Sequence, residues 1–170
     1  MKQHLNKLTA VDCVAGLKTL PASSVHLACT DPPYNIGQKY VDYDDKRPRD
    51  EYLAWAEQWL REIWRVLNDE GTFWLVINDG LVSEMDVLCK SIGFHKRSHV
   101  IWYYTFGQNC TKKLTPSHAH MLYFTASKKK FTFNAAAVRV PSSRQLIYND
   151  TRSNPAGRLP DDTWILRPQW

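Results

Sequence analysis

Several things are scarce in this chain of 170 residues, and each scarcity excludes something. No uninterrupted apolar run is long enough to span a bilayer, and the opening "MKQHLNKLTAVD" lacks the apolar middle of a secretion signal. Only four cysteines occur, at 13, 29, 89 and 110, too widely spaced for a paired metal-ligand pattern. They read as reduced, mostly buried thiols of a cytoplasmic protein. Glycine is sparse too: seven residues, at 16, 37, 71, 80, 93, 107 and 157, with no two spaced as in a glycine-rich ligand loop. Internal repeats and low-complexity tracts are absent.

What is abundant is aromatic surface and, in one half, positive charge. Seven tryptophans and eight tyrosines sit in a chain that is 44% hydrophobic, enough for one domain with a sizeable core. The net charge of +5 conceals an asymmetry. Met1 to Phe94 holds ten Lys+Arg against fourteen Asp+Glu, a balance of −4; His95 to Trp170 holds twelve against three, a balance of +9. A basic half suggests a polyanion on one face, although a merely solvated basic surface has the same composition.

Apolar patterning predicts an α/β order. "SSVHLACT" (Ser23 to Thr30) reads as a buried strand. Tyr52, Trp55, Ala56, Trp59, Ile63, Val66 and Leu67 then make one helical face, with Asp50 available as cap and Gly71 as terminator. "TFWLVIND" (Thr72 to Asp79) reads as a second strand, apolar on both faces, and strand–helix–strand of this kind marks a parallel sheet. A helix over Ser83 to Ile92 ending at Gly93 follows, then strands in "HVIWYYTF" and "HMLYFTA". Residues 1–134 hold all of these elements. Residues 135–170, without periodicity, form an extended segment.

"DPPYN" (Asp31 to Asn35) follows the first strand directly. Two prolines end the strand, and the stretch presents a carboxylate and an aromatic ring where parallel sheets bind ligands. With its surroundings, "VDCVAGLKTLPASSVHLACTDPPYNIG" resembles the opening of the amino-methyltransferases that modify DNA bases with S-adenosylmethionine. Their signature is Asp/Asn/Ser-Pro-Pro-Tyr/Phe/Trp. "YLAWAEQWLREIWRVLNDEGTFWLVIND", "GFHKRSHVIWYY", "SHAHMLYFTASKKKFTFN" and "VPSSRQLIYNDTRSNPAGRLPDDTW" resemble the later parts of the same enzymes in order.

The resemblance implies a Rossmann-like methyltransferase fold with a mainly parallel sheet, late antiparallel strands and an incomplete C-terminal side. It implies that Asp31 and the Pro32 carbonyl accept the hydrogens of an exocyclic amine. Pro32 and Pro33 would fix the direction of that carbonyl, and Tyr34 would stack on a flipped-out base. Asp31, and Asp12 by a weaker analogy, would contact the cofactor; an acid placed like Asp12 serves equally often as a helix cap. Aspartate at the first signature position favours adenine-N6 over cytosine-N4. In the permuted, beta group the glycine-rich cofactor loop follows the target-recognition region, and this sequence does not contain it.

DNA would be met by the basic half: Lys112, Lys113, Lys128, Lys129, Lys130, Arg139, Arg144, Arg152 and Arg158 as phosphate contacts, with Gln108, Asn109 and Ser117 flanking the base pocket. His118 and His120 fall where relatives commonly show His-Glu. They share one side of a strand, but the sequence offers no further ligands and no metal is expected. Three readings stay open: a DNA adenine methyltransferase domain, a non-catalytic nucleic-acid-binding remnant, and half of a split enzyme completed by a second chain or a second copy. An RNA or protein substrate is compatible with the signature alone.

Overall fold

A computed structural model of the chain describes residues 6–104 and 110–166. Helix α1 spans Cys13–Lys18, strand β1 Val25–Thr30, helix α2 Arg49–Val66 and strand β2 Leu67–Ile77. Helix α3 (Val82–Ile92), strands β3 (His95–Tyr103) and β4 (His118–Thr125), the short helix α4 (Ser143–Leu146) and strand β5 (Thr163–Ile165) follow. The sheet runs in the order β1-β2-β4-β3-β5.

It is mixed rather than mainly parallel. β1–β2 and β3–β5 pair in parallel, whereas β2–β4 and β3–β4 are antiparallel. The βαβ pattern correctly joins β1 to β2 through α2. The next two strands have only fourteen residues between them, and the chain returns as a hairpin-like pair instead of crossing over. β5 brings part of the aperiodic segment back onto the sheet.

The core lies on one face. Phe73, Leu75 and Ile77 of β2 and Leu122 and Phe124 of β4 are fully buried beneath Tyr52, Ala56, Leu60 and Ile63 of α2 and Met85 and Cys89 of α3. Val14 and Leu17 of α1 pack on the same cluster. The other face has no helix among the described residues. It carries an aromatic group in which Trp74 stacks on Tyr123, with centroids 4.6 Å apart, and meets Trp164 at 6.0 Å. At its rim Leu27 is 58% exposed and Cys29 is exposed.

β1 is therefore an edge strand and not a buried one. No disulfide joins the four cysteines, but the expectation that most are buried is not met. Only Cys89 is buried, while Cys13 and Cys29 are exposed. Because β1 lies at the edge, Cys29 faces outward on the helix-free side.

Two boundaries also differ from the sequence reading. α2 starts behind Pro48, with Asp50 and Glu51 in its first turn against the positive end of the helix dipole, and no side chain caps it. It ends because Leu67 turns extended (φ −69°, ψ 133°) and begins β2 at once. Gly71 lies inside β2. A Cβ there would come within 2.6 Å of the Leu67 side chain and 3.0 Å of the Asn68 carbonyl, so close approach and not helix termination explains this glycine. Gly93 does end α3, at φ 126°.

Candidate active site at the carboxyl end of β1 and β2

Asp31 to Tyr34 leave the end of β1 beside the end of β2, and the chain holds them from several sides. The Tyr52 hydroxyl, on a fully buried ring of α2, donates to the Pro33 carbonyl at 2.7 Å. The Asn78 side-chain amide, just past β2, donates to the Tyr34 carbonyl at 3.1 Å. Asn35 takes a left-handed backbone (φ 56°) and exchanges two hydrogen bonds of 2.8 Å with the backbone of Arg47. Asp45, only 2% exposed, accepts from the backbone amides of Asn35, Ile36 and Gln38 at 2.8, 3.1 and 2.8 Å. Together these contacts fold residues 35–47 into a loop closed on itself.

Arg49 ties the helix behind this loop to the β2 turn. It donates to the Gly80 carbonyl at 2.7 Å and pairs with Glu84, whose carboxyl it holds below the usual range.

The consequence is selective. The carbonyls of Pro33 and Tyr34 are engaged, while among the described residues no donor reaches that of Pro32. The Asp31 carboxylate is exposed and accepts the Tyr34 hydroxyl on Oδ1 at 2.7 Å, leaving Oδ2 open. Burial, then this bond to Asp31, pushes the Tyr34 phenol far up, so it is a permanent donor. Asp31, Pro32, Tyr34, Gln38, Tyr40 and Asp45 line a cleft of about 170 Å³. Two buried side-chain oxygens on the flanking strand ends, Thr30 Oγ1 and Asn78 Oδ1, have no hydrogen-bond partner among the described residues.

Beside this cleft, antiparallel pairing of Ile77 with His120 brings the start of β4 to the end of β2. His120 Nε2 lies 3.4 Å from Asp79 Oδ1, His120 Nδ1 lies 2.7 Å from His99 Nε2, and the His118 ring meets that of His120 edge-on at 4.8 Å. Desolvation holds His99 and His120 below the ordinary imidazole range.

The other residues expected at the site divide. Asp12 caps α1, its Oδ1 accepting from the Ala15 amide at 2.9 Å, which is the alternative open to it in sequence. Lys112 and Lys113 are exposed in the β3–β4 connection, at the same end of the sheet as Asp31. Ser117 closes that connection by accepting from the Tyr104 amide at 3.0 Å, while Gln108 and Asn109 lie outside the described residues.

Lys128, Lys129 and Lys130 do not join this group. They follow Thr125, which pairs with Thr72, whereas Thr30 before the cleft pairs with Leu75, so the three lysines leave the opposite end of the sheet. Lys128 and Lys130 instead border a second hollow of about 590 Å³ with Trp64, Arg65, Asp69 and His95. Arg139 donates to the Gly157 carbonyl, Arg144 and Arg152 pair with Asp150, and Arg158 pairs with Asp161, so all four brace the late segment. Asn78 and Asp79, in the "NDG" that follows the second strand, fall in sequence at a carboxyl strand end where such sheets bind ligands, whereas Asp45 and the hydroxyl of Tyr52 carry no signal there. The register of the sheet and the loop closure bring these residues in.

The matching family is described as DNA methylase, of the N6/N4 type, over residues 25–169. The chain belongs to the N6/N4 DNA methylase family. Among curated relatives, the type II methyltransferase M.HpaI of Haemophilus parainfluenzae is 35% identical over 93% of this chain and 49% of its own length. M.BglII of Bacillus subtilis is 32% identical over 98% and 49%. The DNA adenine methyltransferase YhdJ of Escherichia coli K12 is 29% identical over 90% and 54%. The chain thus spans about half the length of these relatives.

A DNA modification methylase of Thermus thermophilus, complexed with S-adenosyl-L-methionine, superposes with a TM-score of 0.63 at 18% identity, over 93% of this chain and 65% of that one. The PvuII cytosine-N4-specific DNA methyltransferase gives 0.62 at 13% identity, over 94% and 56%. These likenesses establish the fold as that of the methyltransferases, an α/β mixed sheet. No described helix is long and apolar enough to cross a membrane.

Proposed function

We propose that this methylase chain supplies the acceptor side of an S-adenosylmethionine-dependent transfer to the exocyclic amine of a flipped-out DNA base, adenine-N6 in preference to cytosine-N4. The observation that carries the reading is the Pro32 carbonyl, which no donor reaches among the described residues, just ahead of the two engaged carbonyls of Pro33 and Tyr34 and beside the exposed Asp31 carboxylate. An amine with two hydrogens needs two acceptors at a fixed angle, and rigid placement of both is where the rate advantage arises. In this reading Asp31 Oδ2 and the Pro32 oxygen are those two acceptors. Tyr34 offers a ring for stacking once its hydroxyl leaves Oδ1, and the clamps at Pro33 and Tyr34 keep the backbone in place as it does so. Asp31 positions the amine first and receives the proton that the nitrogen releases second.

Bound S-adenosylmethionine supplies an electrophilic methyl on a sulfonium. The residues present suit part of it: Asp31 offers the sulfonium a carboxylate, and the Tyr34 and Tyr40 rings offer it a face. Asp12 is engaged as a helix cap and has no such role in this reading.

DNA is the partner, with Lys112 and Lys113 the phosphate contacts nearest the cleft. The helix-free sheet face and the exposed rim at Leu27 and Cys29 support a second reading, that a second chain or copy completes the cofactor side.

The test is incorporation of label from methyl-labelled cofactor into unmethylated DNA, with the nucleosides separated afterwards. N6-methyladenine is expected, and Asp31→Ala should abolish it while DNA retention stays intact. N4-methylcytosine would correct the base. DNA binding without transfer, in the presence of any completing chain, would leave the non-catalytic remnant.

A further inference from the structure

Next to the acceptor cleft lies a constellation that amine methylation does not use. Asp79, His118 and His120 present one ligand atom each, all within 4.8 Å of one another. We propose that these three residues form a binding site for a borderline divalent transition cation of the zinc type.

The donor set is the first reason. Two imidazoles and one carboxylate suit zinc, cobalt(II) or nickel and do not suit the oxygen-seeking magnesium or calcium. Geometry is the second. His120 Nε2 and Asp79 Oδ1 are 3.4 Å apart, close to the edge of a tetrahedron whose centre lies about 2.0–2.1 Å from each ligand. His118 is the ligand that must swing inward. It is only half-buried, and its ring already stands edge-on to that of His120, so a side-chain rotation brings it in without moving β4.

The third reason is the outer partner. A metal-bound histidine typically donates its other ring N–H to a fixed acceptor, which sets the tautomer and aims the lone pair. His120 Nδ1 stands 2.7 Å from His99 Nε2 on the neighbouring strand. With the proton on Nδ1 and His99 accepting, His120 Nε2 is left as a lone pair facing Asp79. His99 is thus a positioning residue for the site and not a ligand. Three protein ligands leave a fourth position open to solvent, the arrangement of an exchangeable site and not of a closed structural one. The site would bridge β4 to the turn after β2, whose Asn78 grips Tyr34.

The experiment uses the purified chain freed of metal with a chelator and titrated with cobalt(II), read by the visible absorption of four-coordinate cobalt and by displacement with zinc. One equivalent should bind with a tetrahedral spectrum, and zinc should raise the thermal midpoint. Asp79→Asn, at a side chain 79% exposed, and His118→Ala should each weaken binding at least about tenfold. His99→Phe should weaken it by a similar factor while keeping the stoichiometry. His26→Ala, an exposed histidine on β1, should change nothing. Absence of saturable binding, an octahedral spectrum, or an affinity indifferent to both Asp79→Asn and His118→Ala would overturn the site. None of these readouts requires methyl transfer, so the site stands or falls apart from the proposed activity.

Discussion

The two ends of the sheet are built on opposite plans. At the carboxyl end of β1 and β2, backbone groups are gripped by buried or half-buried side chains: Tyr52 on Pro33, Asn78 on Tyr34, Asp45 on three amides of one loop. At the other end, exposed lysines surround an open hollow, and Arg97 merely ties β3 to the Ser127 and Lys128 carbonyls. Positive charge alone would have put both lysine groups against DNA. Strand direction separates them, and the gripped end has the properties of a reaction site: fixed acceptors with one left open.

The largest test of that contrast is Asp31→Ala, expected to lower methyl transfer by about 10²–10⁴-fold in single-turnover assays. The charge reversal of Lys128, Lys129 and Lys130 together should leave the transfer rate unchanged. Next comes Asp45→Ala, which orphans three amides and should cost about 3 kcal/mol in denaturant unfolding, along with transfer activity. Tyr52→Phe removes one hydroxyl-to-carbonyl bond and should cost about 1 kcal/mol, with a larger proportional loss in kcat than in KM because the Pro32–Pro33 backbone loosens.

On DNA, reversing Lys112 and Lys113 should reduce the salt slope of log K by about 2, the triple reversal at Lys128–130 by about zero. Equal effects from the two groups would break the comparison.

The smallest effect is at the far end. Burial raises the Asp86 carboxyl, but its bonds to Lys90 at 2.8 Å and Lys96 at 2.9 Å outweigh that, and the net shift is downward. A depressed carboxyl stabilises the fold above its unfolded value, about 3.9, and that contribution is lost as pH falls through the folded value. Melting curves below about pH 4 should therefore fall more steeply for the native chain than for Asp86→Asn.

The sequence made the α2 face legible because Tyr52 to Leu67 repeat at helical spacing, and "DPPY" legible because prolines must end a strand. Gly71 misled because a glycine near a helix end usually terminates it, whereas here Leu67 changes conformation four residues earlier. The role of Tyr52 was hidden for a different reason: spacing alone made it a core residue, and its ring is buried there, but its hydroxyl reaches a carbonyl nineteen residues back. Asp79 could not be linked to His118 and His120 without the β2–β4 register. The same register moved Lys128–130 away from the site. Local pattern reveals elements; pairing partners depend on contacts distant in the chain.

β1 has one neighbour in the sheet, and that neighbour lies beyond an eighteen-residue helix. β3 and β4, by contrast, close on each other across a short connection. In the time order of folding, long-range parallel pairing is late, so the strand that carries Asp31 joins after the rest of the sheet exists. The same asymmetry governs breathing of the finished molecule: amides of β1 should exchange with deuterium before those of β2 and β4. The signature residues thus ride on the last part to dock and the first to open.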